Sequence, residues 1–400
     1  MDKGLPGRVQ PIEQVGLTRR KVLLVLAFVL SLIFPSTGMI QRYFGLPGVC
    51  LYIVAASGLC LLACRYFYPQ FVAAISDRQM LYLSAATFLL LLTVFAVFYP
   101  LANQNTGRAG SDRDDALNLA TMALLRGEYP YYARTYLGNP ISPLPGSLLL
   151  AVPFVLIGNS AYQNFFWLSM FLVSMSACLA NRRLSLLLLW MILLLSPIVL
   201  HELVTGGDLL ANGIIVMLAI YWSVSVSRRA TPGSVKWVMA AVFLGMAVTT
   251  RANFVLLLPL VFAALGRNAG WRYAAKFCVV TCTTVGLLVL PYYLYDPVGF
   301  SPLHTLGEIG RFQNILPFAG ILIPAVTVGI AGLLGLRNDN GNRIVLLRNC
   351  AITMGFPVVA GTMLMSIGRG RVDFTFAGFG LIFVFFSSAA LWAAIWGKGD

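Results

Sequence analysis

Three aspartates fall within four residues, Asp112, Asp114 and Asp115, directly after Ser111. A carboxylate in such a cluster can serve as a general base that takes the proton from a hydroxyl nucleophile. Like charges placed this closely raise one another's pKa, which favours a group able to accept that proton. The plainer reading is that acids in the first turn of a helix complement its macrodipole and cap its free amides. Three are more than a cap requires.

The matching chemistry is to hold the charge of a phosphate, which calls for Arg, Lys or His in a partly dry site. Arg251 closes TTRANF between two short apolar runs, His304 and Arg311 lie in DPVGFSPLHTLGEIGRF, and Arg369 and Arg371 lie in GRGRVDF. Each has an ordinary alternative. Arg251 either meets a ligand or snorkels to a membrane surface. His304 would share a helical face with Glu308, and the pair either orients a phosphate contact or forms an interfacial hydrogen bond. In LHELVTGGDLLAN, His201, Glu202 and Asp208 either line a cavity with Tyr131 opposite the aspartates or flank a plain Gly206-Gly207 turn.

The elements that position these residues follow from composition. Of 400 residues, 59% are hydrophobic and 10% charged, with a mean hydropathy of +0.82. This describes an all-α polytopic membrane protein and excludes a set of soluble domains. A spanning helix needs about 20 mostly apolar residues, and about twelve such stretches lie between residues 22 and 396. Those near 235–250 and 253–265 are short, and the second contains Pro259. Residues 1–21 are polar and read as a cytoplasmic tail, with 22–400 as a single transmembrane domain. The net charge of +14 is spread between apolar runs, so it reads as a topology signal and not as a nucleic-acid surface. Seven cysteines sit in or at the ends of apolar runs, where a free thiol packs as a small hydrophobe, and two histidines are too few for a His-rich metal cluster.

The topology turns on LPGSLLLAVPFVLIG, residues 144–158, which is apolar but short and carries Pro145 and Pro153. If it crossed the membrane, every later loop would change sides and most basic clusters would face outward, against the positive-inside rule. Read as re-entrant or interfacial, it gives twelve spans with both termini cytoplasmic. Nine of the 14 acidic residues then lie on the outer side. The long outer loop 101–158 carries the acidic cluster, a helix beginning with a Ser111–Asp114 capping box and stopped by Gly127, and Tyr129, Tyr131, Tyr132 and Tyr136 as an aromatic belt at headgroup depth.

The order of these parts resembles the GT-C superfamily of membrane glycosyltransferases, which includes enzymes that use polyprenyl-phosphate mannose. Ser111 to Asp115, then Ala116 to Gly127 with Tyr129, Pro130 and Tyr131, then Ser142 to Gly158, correspond to the acidic loop, the Ala-rich juxtamembrane helix and the Pro-containing second juxtamembrane segment of that family. The resemblance covers about 50 residues. It departs from the family in having three spans before the acidic loop, where one is usual, and in lacking the large C-terminal outer domain of some members.

The resemblance implies transfer of a sugar from a polyprenyl-phosphate donor to a lipid, glycan or protein acceptor. The site would face outward, periplasmic or extracellular, in a multi-pass protein of the plasma (inner) membrane. The base would be Asp112, Asp114 or Asp115, and the donor phosphate contacts Arg251, His304, Arg311, Arg369 and Arg371. The resemblance fixes no cofactor: a few members of the superfamily bind a divalent metal, which carboxylates near a phosphate could hold together with waters. The alternative is a transporter or glycolipid flippase, which needs ionisable groups near mid-membrane.

Overall fold

The computed structural model describes residues 19–103, 111–303, 310–337 and 342–397. Among these, the regular structure is helical apart from one isolated bridge between Arg134 and Pro140. A helix pairs its backbone groups within one segment, which is what a hydrocarbon surrounding demands. The chain is a polytopic α-helical membrane protein. Eight described helices have the length and apolar character to cross a bilayer, or ten spans if each of two sharply bent pairs is one crossing. This is fewer than the twelve expected.

The shortfall has local causes. Helix α1 (Arg19–Ile33) continues through a 3-10 turn into α2 (Thr37–Leu62), and the two together with the following turn make one run of 49 residues. That run breaks inside α2 at Gly45, whose φ of 67° and ψ of −170° no helix contains. The expected span at 184–200 is α8 (Arg182–Leu195) followed by α9 (Pro197–Val204), bent by 85°. Pro197 lacks an amide proton and pushes Ser196 out of the helical region, so the break sits where proline chemistry puts it. The expected span at 253–265 opens as a 3-10 segment, Ala252–Leu257, before α12 (Leu258–Ala269), with Pro259 in its first turn. Helix α11 (Val235–Val248) has only 14 residues.

The centre is built from α10 (Leu209–Ser227) and the last long helix, α16 (Leu381–Trp396), both largely buried. They pack with α1, with α7 (Gln163–Leu179) and with α8. Phe28 lies 5.2 Å from Trp392 and Phe171 lies 5.2 Å from Phe385 across these contacts. By contrast α4 (Asp77–Ala102) and α13 (Trp271–Tyr295) are mostly exposed and apolar, which suits helices facing lipid tails. The remaining long helices are α14 (Ala319–Arg337) and α15 (Arg343–Arg369), and α3 (Tyr68–Ala74) is a short turn before α4.

Helices α5 (Arg113–Leu125) and α6 (Pro145–Leu156) do not belong to this bundle of spans. Twelve residues of α6 reach only about 18 Å, well short of a bilayer. Both its ends are fixed to the same end of the molecule. At its start the amides of Leu144 and Gly146 donate to the carbonyls of Thr250 and Thr249, at 3.3 and 3.1 Å, just beyond the end of α11. At its finish Asn159 donates to the Tyr99 hydroxyl at 2.5 Å, and Asn118 of α5 donates to Asn159 at 3.3 Å. The chain then turns by 100° into α7, which runs to the opposite end at Asn181. Gly146 is needed at that first contact, because a Cβ there would stand 2.2 Å from the Met246 carbonyl oxygen. The apolar stretch therefore lies across one end of the bundle.

This arrangement predicts that cysteines introduced at two exposed positions label from opposite sides. With Glu128→Cys and Thr231→Cys in separate full-length variants, a membrane-impermeant maleimide should modify one in intact cells and the other only after permeabilisation. Labelling of both from the same side would mean that α6 crosses.

Candidate functional site

A cavity of about 700 Å³ opens at the end of the bundle that holds α5 and α6. Four separated stretches supply its walls: residues 38–46 around the break in α2, Ser111 to Arg113 at the start of α5 together with Leu137, residues 198–202 in α9, and the segment 369–378 after α15. Its volume is that of a pocket for an organic ligand. The break at Gly45 is what leaves room between the first helix run and the end of α15.

Gln41 ties two walls together, donating to the Val372 carbonyl at 2.8 Å and accepting from the Phe374 amide at 2.7 Å. Asp373 is buried beside this link and pairs with Arg369, one turn back along the chain. Burial pushes the Asp373 carboxyl up, but hydrogen bonds from Thr375 and the Arg369 guanidinium outweigh it and hold the group below its ordinary value. On the opposite wall Arg113 donates to Glu202 at 2.9 Å. Glu202 is buried, and its second oxygen accepts from the Leu209 amide at the start of α10, 3.0 Å away. Gly206 makes the intervening turn with a φ of 72°, and a Cβ on Gly207 would stand 2.3 Å from the Glu202 carboxylate. The two glycines therefore do both jobs that the sequence left open: they turn the chain and they let a carboxylate close under the cavity.

Among the lining residues, these pairings leave three charges outside any ion pair of the described residues: Asp112, Arg42 and Arg371. The Asp112 carboxylate accepts from the Thr135 hydroxyl at 2.6 Å and from the Asn139 amide at 2.8 Å, both on one oxygen, Oδ2. Arg42 lies over the neighbouring Tyr43 ring, 5.9 Å from its centre. Arg371 is exposed, and its guanidinium has no partner among the described residues. One acid fixed by neutral donors and two uncommitted cations thus share one space, with His201 also in the wall.

The other sequence candidates are placed differently. Asp114 is buried behind the cavity, accepting from the Tyr99 hydroxyl at 2.7 Å and more weakly from Asn103 at 3.4 Å. Burial pushes its carboxyl up to about 6. The expected Ser111–Asp114 capping box does not form, because Asp114 turns to Tyr99; the Ser111 hydroxyl accepts only from Arg113, at 3.4 Å. Asp115 accepts from the Tyr136 amide at 2.9 Å and holds the return of the loop. Arg251 is away from the cavity. It grips Asp208 through two nitrogens and donates to Ser142 at 2.8 Å. Asp208 is fully buried and also accepts from Asn212 at 2.8 Å, so neither partner lines the cavity.

Tyr131 is likewise outside it, buried in an aromatic cluster 4.9 Å from Phe300 and 5.6 Å from Tyr129. A ring that fills the space between α13 and the α5–α6 pair has no surface left for a ligand. Arg311 is exposed after residue 310 and does not line the cavity, and His304 and Glu308 lie outside the described residues. Among the described residues, no three His, Cys, Asp or Glu side chains converge as metal ligands. Arg42 and Gln41 were missed by the sequence reading. The signal for Arg42 was present, since it is a basic residue on the outer side of the same topology that singled out Arg369 and Arg371. No family model matches the chain, and no curated protein and no solved structure matches it either.

Two outcomes follow from these pairings. Because the carboxyl of Asp114 titrates higher in the fold than in the unfolded chain, its contribution is complete below about pH 4 and is lost as pH rises through about 6. Thermal unfolding in detergent should show wild-type stability falling across that window relative to Asp114→Asn, which keeps the acceptor for Tyr99 but cannot ionise. Arg251→Gln strands a buried Asp208, so it should destabilise by about 3–5 kcal/mol, with much of the loss recovered by adding Asp208→Asn.

Proposed function

We propose that the cavity is the site of a glycosyl transfer in which a polyprenyl-phosphate sugar donates to a hydroxyl of a lipid, glycan or protein at the outer face of the plasma membrane. The observation that carries this reading is the sharing of one cavity by Asp112, Arg42 and Arg371, with no ion pair among the described residues consuming any of them. The reaction needs a base for the acceptor and cations for the leaving phosphate. Those are the groups left uncommitted.

In this reading the acceptor oxygen attacks the anomeric carbon, a new C–O bond forms there, and the bond from that carbon to the phosphate oxygen breaks. The acceptor proton passes to Asp112. Thr135 and Asn139 donate to one carboxylate oxygen and so orient the other. Arg42 and Arg371 meet the charge that develops on the departing polyprenyl phosphate, where such electrostatic stabilisation is worth most. Arg113 and Arg369, already paired, shape the walls. Of the three aspartates the GT-C resemblance offers as base, Asp112 alone lines the cavity. Asp112 would be the residue to hold a divalent metal, which would supply added charge to offset the phosphate, and a chelator arm in the assay decides it.

The membrane topology belongs to the same proposal. Dividing the 49-residue run at Gly45, taking each bent pair as one crossing and adding the short α11 gives twelve crossings with both termini inside. The cavity then faces outward, at the depth of lipid headgroups where the donor phosphate lies. The flippase alternative is less well supported, since Arg113–Glu202 and Arg251–Asp208 sit where helices end and not along a mid-membrane path.

Membranes carrying the full chain, supplied with labelled polyprenyl-phosphate hexose and pentose donors, provide the test. Asp112→Asn should lower transfer by about 10²- to 10⁴-fold, while Asp115→Asn stays close to the unmodified chain and Arg371→Gln weakens donor use. Full transfer by Asp112→Asn would remove the base assignment. Movement of intact donor across the bilayer without transfer would replace the enzyme by the flippase.

A further inference from the structure

The two uncommitted cations of the cavity are carried by separate stretches of chain, Arg42 on α2 before the break at Gly45 and Arg371 just beyond the end of α15. Like charges that face one cavity repel, and neither arginine has a counter-ion among the described residues. One side chain links the two stretches. Gln41, next to Arg42, donates to the carbonyl of Val372, next to Arg371, at 2.8 Å and accepts from the Phe374 amide at 2.7 Å. We infer that Gln41 is a positioning residue, which holds Arg42 and Arg371 at neighbouring points of the wall as a paired site for one phosphate group. The inference rests on the reading of both arginines as phosphate contacts and names the residue that makes a pair of them.

The surroundings of the link are built for close approach. One turn earlier in α2, Gly38 lies so near the same segment that a Cβ would stand 2.3 Å from the Phe374 carbonyl oxygen. On its other side the segment is tied to α15, where the Ser366 hydroxyl donates to the Asp373 carbonyl at 3.2 Å and accepts from the Asp373 amide at 3.0 Å. Residues 372–374 are thus held from both sides. The Gln41 carboxamide carries a donor and an acceptor on one planar group, which matches a carbonyl and an amide two residues apart. The chemical type of the link decides what is left for a ligand. Arg369, close by, is held by the carboxylate of Asp373, and its charge is matched there. Gln41 is neutral, so it fixes the backbone beside each arginine and leaves both charges free to meet an anion. The Gln41–Val372 bond is exposed and adds little to folding, since water competes for both partners. Its contribution is to binding, because guanidinium groups that are already in place need not be ordered when a phosphate arrives.

Farnesyl phosphate, a short isoprenoid phosphate of the same class as the proposed leaving group, is the probe. It is titrated calorimetrically into the detergent-purified full chain, with farnesol as the control that lacks phosphate. Gln41→Met, close in length but without polar side-chain N or O atoms, should weaken binding by about 3- to 10-fold. Gln41→Glu should weaken it further, because its carboxylate takes up arginine charge. A double-mutant cycle separates positioning from a merely structural role: with Arg371→Gln already present there is no pair to hold, and Gln41→Met should lose most of its effect on binding. The inference is overturned if either Gln41 variant binds as tightly as the unmodified chain, if the effect of Gln41→Met is undiminished by Arg371→Gln, or if farnesyl phosphate binds no better than farnesol. Failure of the transfer reading looks different. Binding that depends on Gln41, together with no sugar transfer in the membrane assay, would keep the paired phosphate site and remove the glycosyltransferase.

Discussion

Glu202 is the residue on which the candidate site depends. A carboxylate buried near a bilayer is stable only when its charge is matched, and two independent elements match this one, the Arg113 guanidinium from α5 and the Leu209 amide at the head of α10. The pairing fixes the start of a helix outside the bundle to two helices within it. Asp112 and Asp114 flank Arg113, so the same contact decides that one faces the cavity while the other turns inward to Tyr99. A few ångströms of chain separate a solvent-facing acid from a buried one because the helix between them is anchored by a salt bridge.

The α6 segment supplies the second constraint. It is apolar enough for lipid yet too short for a bilayer, and hydrogen bonds at both its ends hold it at one end of the bundle. Its buried face packs against α5 through Ala116, Leu117, Ala120, Leu148 and Ala151. A pair of short helices lying across span ends makes a floor on which a loop of polar residues can be held still. The aromatic cluster of Tyr129, Tyr131, Tyr292 and Phe300 closes the far side of that floor, which is why the tyrosines read as interface anchors in sequence turn out partly as packing.

Much of this was legible before any coordinates. Glycine placed the stops at Gly127 and Gly206, since its backbone limits are local, whereas the expected span at 184–200 ran straight through the break that Pro197 makes. The span count was not so readily reached: the expected spans at 22–40 and 47–64 flank Gly45 and the one at 235–250 was read as short, but hydropathy does not report that one helical run continues across Gly45. Among candidate residues, Asp112, His201, Glu202, Arg369 and Arg371 meet in one cavity, whereas Arg251, Asp208 and Tyr131 do not. An unpaired arginine and a paired one look identical in sequence, and only the position of a carboxylate 43 residues away distinguishes them.

By itself the sequence determined that the chain is helical and membrane-embedded, where some of the helices stop, and which loops gather the acids. Those follow from residue type, local backbone restriction and the asymmetry of charge, none of which needs a distant partner. Tertiary structure alone decided which charges are spent on each other and which are left over. Pairing depends on side chains that meet from stretches far apart in the chain, through approaches as close as those at Gly146 and Gly207, and no local pattern encodes such a meeting.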